Sequence, residues 1–303
     1  MVHIPDGFLS TPVWLSLAAV SAVSVGALAP KAQRETEEAR LPLLGVMGAF
    51  VFAAQMINFP LGMGTSGHLV GGTLLASTLG PAAAALVMTA ILGIQALVFQ
   101  DGGVLALGAN VFNMALAGVF AGYLPLALWG DRRYRSAAVA CGGLLSVCVS
   151  GALALAELII SGVRVPTALL WLSVLLFLIN GLAEAVITVA VVRALARLNV
   201  AWVRGPALAA RRAPAALGAA AVVLSMAGVM VASQYPDVLE SFADRAGLAA
   251  RAKALFETPF ADYQASWFGE SWWAKVVAGL LGVALIYALL LGVTRMAGRR
   301  RSK

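Results

Sequence analysis

Long apolar runs alternate along the chain with short polar, Gly- or Pro-bearing breaks. The runs occupy residues 12–29, 41–59, 68–79, 81–99, 108–128, 136–160, 166–195, 214–232 and 272–293. Most approach the length of about 20 residues that carries an α-helix across a bilayer core. The breaks fall at Pro30, Pro60, Gly80-Pro81 and Pro166, because a missing backbone N–H costs least at a helix boundary. The run at 68–79 is short and reads as half of a broken pair with 81–99. The pattern predicts an all-α, polytopic transmembrane bundle of seven helices followed by two C-terminal helices. It lacks the short alternating strands of a membrane barrel.

Composition agrees. Hydrophobic residues make up 61% of the chain and charged residues 12%, against roughly a half and a quarter in soluble domains. A net charge of +7 raises the question of nucleic acid, and the placement of the charges answers it. With the N-terminus outside, 16 of the 21 Lys and Arg residues fall in inner loops or the C-terminal tail. Only Arg164, Arg245, Arg251, Lys253 and Lys275 fall outside. The positive-inside rule then puts the C-terminus in the cytoplasm. The tail GRRRSK reads as a cytoplasmic anchor, with membrane lipid but not nucleic acid as an expected partner. Cys141 and Cys148 form no metal or disulfide motif and read as buried helix thiols. The first 11 residues carry no Lys or Arg, so no cleaved signal is expected beyond removal of Met1.

A basic stretch from Arg193 to Arg212 divides the chain. Residues 1–205 form the larger membrane domain. Residues 206–303 hold two helices around an outer loop, 233–271, that carries six of the 14 acidic residues.

The chain has two histidines, His3 and His68. Ile4-Pro5-Asp6-Gly7 after the first is a turn-forming run that lets the terminus fold back. Gly62, Gly64, Gly67, Gly71 and Gly72 surround the second, and irregular backbone at membrane depth belongs where it lines a cavity. A terminal amine, a deprotonated amide and an imidazole chelate one ion, and planar nitrogen sites suit Ni(II) or Cu(II). If Met1 stays, amine, two amides and His3 already fill a plane. If Met1 is removed, Val2 supplies the amine and one position is left for His68.

VHIPDGFLS (2–10) resembles the MHIPDGFLS start of the substrate-specific component of nickel/cobalt energy-coupling-factor transporters, the NikM/CbiM family. NFPLGMGTSGHLVGG (58–72), FQDGGVLALGANVFNMA (99–115) and EAVIT (184–188) are similar to further family motifs. The resemblance covers residues 2 to about 200. It implies Val2, His3 and His68 as metal ligands, with Met1 in place of Val2 if it is retained, and Ni(2+) or Co(2+) as transported substrate. It also implies a transmembrane coupling subunit and ATPase subunits as partners, in the cytoplasmic (inner) membrane of a prokaryote. This chain departs from the family in carrying one extra residue before His3. YPDVLESFADRAG (235–247) and TPFADY (258–263) resemble the PDGLE accessory component, with Val238 where the name motif has Gly.

Asn58, Ser66, Asp101, Asn110 and Asn113 sit near the outer ends of the runs, as polar groups that could orient metal ligands. Asp6 is expected to brace the N-terminal turn. Glu184, inside an apolar helix, is expected to serve structure or gating, since intramembrane carboxylates are costly. No GxxxxGK[ST] occurs, so no ATP site is expected in this chain. Two other readings use the same residues. In a proton-coupled permease Glu184 would relay protons. In a rhomboid-like protease Ser66 of GTSG would be the nucleophile, but no His follows position 68 to serve it as base.

Overall fold

The computed structural model describes residues 3–35, 41–131, 133–198, 212–252, 255–269 and 271–299. Met1, Val2, the expected boundary at 205/206 and the final residues of the tail lie outside these.

The chain is mostly helical. In order it forms α1 (Thr11–Glu35), α2 (Leu41–Gln55), α3 (Gly72–Leu79), α4 (Pro81–Phe99), α5 (Leu107–Trp129), α6 (Arg135–Ile160), α7 (Thr167–Leu198), α8 (Pro214–Val231), α9 (Val238–Arg245) and α10 (Trp272–Arg299). Among the described residues seven helices are long and apolar enough to span a membrane: α1, α4, α5, α6, α7, α8 and α10. The runs at 41–59 and 68–79 fall short. The first is helical only to Gln55, and the second begins its helix at Gly72.

Between them lies an antiparallel hairpin, β1 (Phe59–Gly62) and β2 (Thr65–Gly67), with Phe59 opposite Gly67. The sequence reading had not foreseen it. Pro60 can donate no helical hydrogen bond. Gly62 (φ 99°) and Gly64 (φ 71°) supply the left-handed turn between the strands. Two smaller expectations also change. Pro30 lies inside α1. Cys141 is exposed and Cys148 half-buried, on the outer side of α6 rather than in the core.

Small residues let the helices close on one another. A Cβ on Gly142 of α6 would stand 2.1 Å from the Gly122 carbonyl oxygen of α5. One on Gly48 of α2 would meet Leu290 of α10 at 2.6 Å, and one on Gly282 of α10 would meet Phe52 of α2 at 2.2 Å. Close backbone approach through such positions is how helices pack where water gives no driving force. The two C-terminal helices, α8 and α10, thus join the bundle against α2.

The segment between α8 and α10 folds across one end of the bundle. Asp237 caps α9 by accepting the N–H groups of Leu239 and Glu240, while Glu240 accepts the Asp237 N–H in return, a capping box. Three short 3-10 turns follow, and Ser66 of β2 bridges to Asp237. This is the end that carries both histidines.

Candidate metal-binding site

The first described residues form an arm laid into the bundle. Ile4 is fully buried, and Phe8 and Leu9 nearly so. Burial would strand the arm's backbone groups unless partners met them, and Asn110 of α5 meets two. Its Oδ1 accepts the Ile4 N–H (2.8 Å) and its Nδ2 donates to the Ile4 carbonyl (3.1 Å). Gly103 N–H also donates to that carbonyl (2.9 Å). Asp6 braces the loop before α5 as well as its own turn. Its carboxylate accepts the N–H groups of Val104, Leu105 and Ala106 at 2.8 to 3.0 Å. These amides lie just ahead of α5 and have no partner within the helix. A Cβ at Gly103 would lie 2.1 Å from Asp6 Oδ1, so the loop closes on the arm only because a glycine stands there.

This packing buries His3 to 5% exposure, and the hairpin buries His68 to 2%. Both line a cavity of about 500 Å³ with Gln55, Asn58, Asp101 and Tyr263. In each ring Nδ1 is engaged. His3 Nδ1 lies 2.8 Å from Asp101 Oδ1, and His68 Nδ1 lies 2.7 Å from the Leu69 carbonyl oxygen. A carboxylate and a carbonyl only accept, so Nδ1 carries a proton in each ring. Among the described residues neither Nε2 has a hydrogen-bond partner. Burial holds His68, in the loop ahead of α3, well below the usual imidazole range, which keeps it a neutral donor.

Asp101 is fixed from both sides. Tyr263 donates its hydroxyl to Oδ2 (2.5 Å) while His3 occupies Oδ1. Burial alone would raise this carboxyl, but the adjacent His3 and the two hydrogen bonds outweigh it and bring it down to about 2. Burial, then the Asp101 charge, drive the Tyr263 phenol well above its ordinary value, so it stays a donor. Gln95 Nε2 donates to the Tyr263 hydroxyl (3.1 Å) and to Gln55 Oε1 (3.0 Å), and Gln55 Nε2 donates to the Val70 carbonyl (2.8 Å). Glu184 Oε2 accepts the Val70 N–H (2.7 Å) and Oε1 the Gly71 N–H (2.8 Å). One hydrogen-bonded chain therefore runs from His3 to the backbone behind His68 and ends on a buried carboxylate whose two oxygens are both engaged.

The other sequence candidates divide. Asn58 lines the cavity, and its carbonyl accepts the Ser233 N–H (2.7 Å). Ser66 Oγ donates to the Tyr235 carbonyl (2.7 Å), tying the hairpin to the segment after α8, and is bonded to neither histidine. Asn113 lies away from the cavity, where its Nδ2 donates to Glu157 Oε2 (2.9 Å). Sequence reasoning missed Gln55, Gln95 and Tyr263. The signal for the glutamines was an amide inside an apolar run. For Tyr263 it was the TPFADY stretch, whose fold at Asp262 and Tyr263 places consecutive residues in the left-handed region (φ 51° and 57°), at a cost of order 1 kcal/mol or more each.

Comparison with known proteins places the chain in a family. Residues 3–202 match the family described as the cobalt uptake substrate-specific transmembrane region, and residues 211–299 match the PDGLE domain. The chain belongs to the CbiM family. Within it, the chain is 35% identical to a putative fused nickel transport protein NikMN of Archaeoglobus fulgidus, covering 98% of this chain and 99% of that protein. It is 30% identical to the fused nickel transport protein NikMN of Rhodobacter capsulatus, over 99% and 98%. Both are named as transport proteins rather than enzymes. A crystal structure of a truncated transition metal transporter superposes with a TM-score of 0.57 at 33% identity, over 64% of this chain and 98% of that one.

Proposed function

We propose that this CbiM-family chain is a nickel/cobalt transport protein of the fused NikMN type. It captures a divalent transition metal, nickel in preference to cobalt, at the outer face of the cytoplasmic membrane. It acts as the substrate-specific subunit of an energy-coupling-factor transporter, with a transmembrane coupling subunit and ATPase subunits supplying the drive.

The ligand set is the Val2 amine, the His3 amide nitrogen and the imidazoles of His3 and His68. Met1 replaces Val2 as amine donor only if it is retained. The observation that carries this reading is the pair of buried imidazoles lining one cavity, each held at Nδ1 and, among the described residues, with no partner at Nε2. Among the described residues no group of three His, Cys, Asp or Glu side chains is arranged to hold a metal ion. The other donors, the terminal amine and the His3 amide, are those that the resemblance of residues 2–10 to the family's opening motif implies. Four nitrogens around one ion suit planar Ni(II). Asp101 on His3 Nδ1 is the outer partner that metal-binding histidines usually have.

The test is titration of the purified full-length chain with Ni(II) and Co(II). Tight Ni(II) binding with the spectrum of a planar, diamagnetic ion is expected, with weaker Co(II). A six-coordinate paramagnetic Ni(II) complex, or binding untouched by His68→Ala, would contradict the ligand set. Uptake into vesicles should require the coupling and ATPase subunits. Uptake by the chain alone, driven by a pH gradient, would instead favour a permease using Glu184.

A further inference from the structure

Tyr263 lies in the PDGLE-matched region, 162 residues from Asp101 in sequence, yet its hydroxyl reaches the carboxylate that holds His3. Nothing about its neighbourhood is accidental. Its ring stacks on Phe99 at 4.8 Å and 13°, with Phe52 beside it at 6.0 Å. The strand of chain leading to it is tied to the end of α4. Thr258 donates its hydroxyl to the Val98 carbonyl (2.6 Å) and its N–H to Gln100 Oε1 (3.1 Å), and Gln100 Nε2 donates to the Phe256 carbonyl. Asp262 and Tyr263 then take the unfavourable left-handed conformation in succession, and this turns the phenol into the cavity. A tyrosine needing only a polar contact for its tip could have met water at the cavity mouth without that backbone cost. Here it receives Gln95 Nε2 on one side and donates to Asp101 Oδ2 on the other.

We propose that Tyr263 is a positioning residue for the metal ligand His3, acting through Asp101. With Oδ2 occupied by the phenol, Asp101 presents Oδ1 to His3 Nδ1–H in one orientation. That orientation fixes the His3 ring where it lines the cavity. The accessory region thus sets the posture of a ligand carried by the other end of the chain, and the affinity of the site depends on residues 258–263 being docked. This inference rests on the ligand set proposed above.

Tyr263→Phe in the full-length chain keeps the ring on Phe99 and deletes the hydroxyl. Ni(II) affinity, by competition with a chelator, and the visible ligand-field absorption of bound Ni(II) are compared for the parent, Tyr263→Phe, Asp101→Asn, the double variant and His3→Ala. Tyr263→Phe is expected to weaken binding about tenfold, the lower end of losses seen for outer partners of metal ligands, and to shift the absorption, which a packing role would leave unchanged. Added to Asp101→Asn it should cost less than about a further twofold, because the two act through one bond network. Unchanged affinity and spectrum in Tyr263→Phe, or independent multiplication of the two losses, overturns the inference while loss in His3→Ala leaves the ligand set standing. Unchanged binding in His3→Ala overturns the ligand set and this inference with it.

Discussion

The arm that carries His3 and the hairpin that carries His68 reach the same cavity by different physics. His68 is oriented locally. Its Nδ1 is held by the carbonyl of the next residue, and its backbone is pinned by Glu184 through two adjacent amides. His3 is oriented from a distance. Its ring depends on Asp101 and its arm on Asp6 and Asn110. In the first arrangement, the ring needs only the next residue's carbonyl, while Glu184 of α7 holds the backbone behind it. The second exists only once α4, α5 and the segment before α10 have assembled around it. On the proposed ligand set, the site combines one fixed ligand with one conditional ligand.

The comparison can be broken most severely at the ligands themselves. His68→Ala and His3→Ala are each expected to weaken Ni(II) binding by more than about a hundredfold, beyond the 10- to 100-fold typical of outer-partner changes; chelator competition would show this. Asp101→Asn should follow at about tenfold, since it keeps the shape of the side chain but not the charge that His3 Nδ1 meets. The two supports separate the regions further. Asn110→Ala strands the buried Ile4 N–H and leaves the Ile4 carbonyl with Gly103 alone, and should cost about 1–3 kcal/mol in a detergent melt, with weakened Ni(II) binding. Glu184→Gln puts an amide N–H₂ against a backbone N–H and should cost a similar amount in the melt through the His68 side. Smallest of all, Leu69→Met keeps the main-chain carbonyl that orients His68 and is nearly volume-conserving. Its Ni(II) affinity should stay within about twofold of the parent. A large loss there would mean that His68 is not held by its backbone.

The same contrast explains what could be read from the sequence. The helices were legible because membrane-length apolar runs announce themselves, and the histidines because there are only two, each in an unusual Gly- or Pro-bearing context. The hairpin at 59–67 was not, since four apolar or glycine residues before the turn look like the end of a helix. Only their left-handed glycines, visible in the fold, show otherwise. Asp101 stood out as a charge at the end of an apolar run. Tyr263 did not, because its role arises from a contact across 162 residues, and no local pattern encodes such a pairing. Asn113 shows the reverse error. It shares a motif with Asn110 and lies three residues away, yet its side chain meets Glu157 instead of the arm, since these two positions face different neighbours.

The central claim is that the polypeptide's own amino group completes the metal site beside His3 and His68. Intact mass first establishes whether Met1 or Val2 bears that amine. Ni(II) affinity is then compared for the chain with a free terminus and the same chain N-terminally acetylated. Acetylation should weaken binding by about a hundredfold or more and abolish the planar Ni(II) spectrum, because an amide nitrogen is a far poorer donor than an amine. An acetylated chain that binds Ni(II) as tightly, with the same spectrum, would contradict the account.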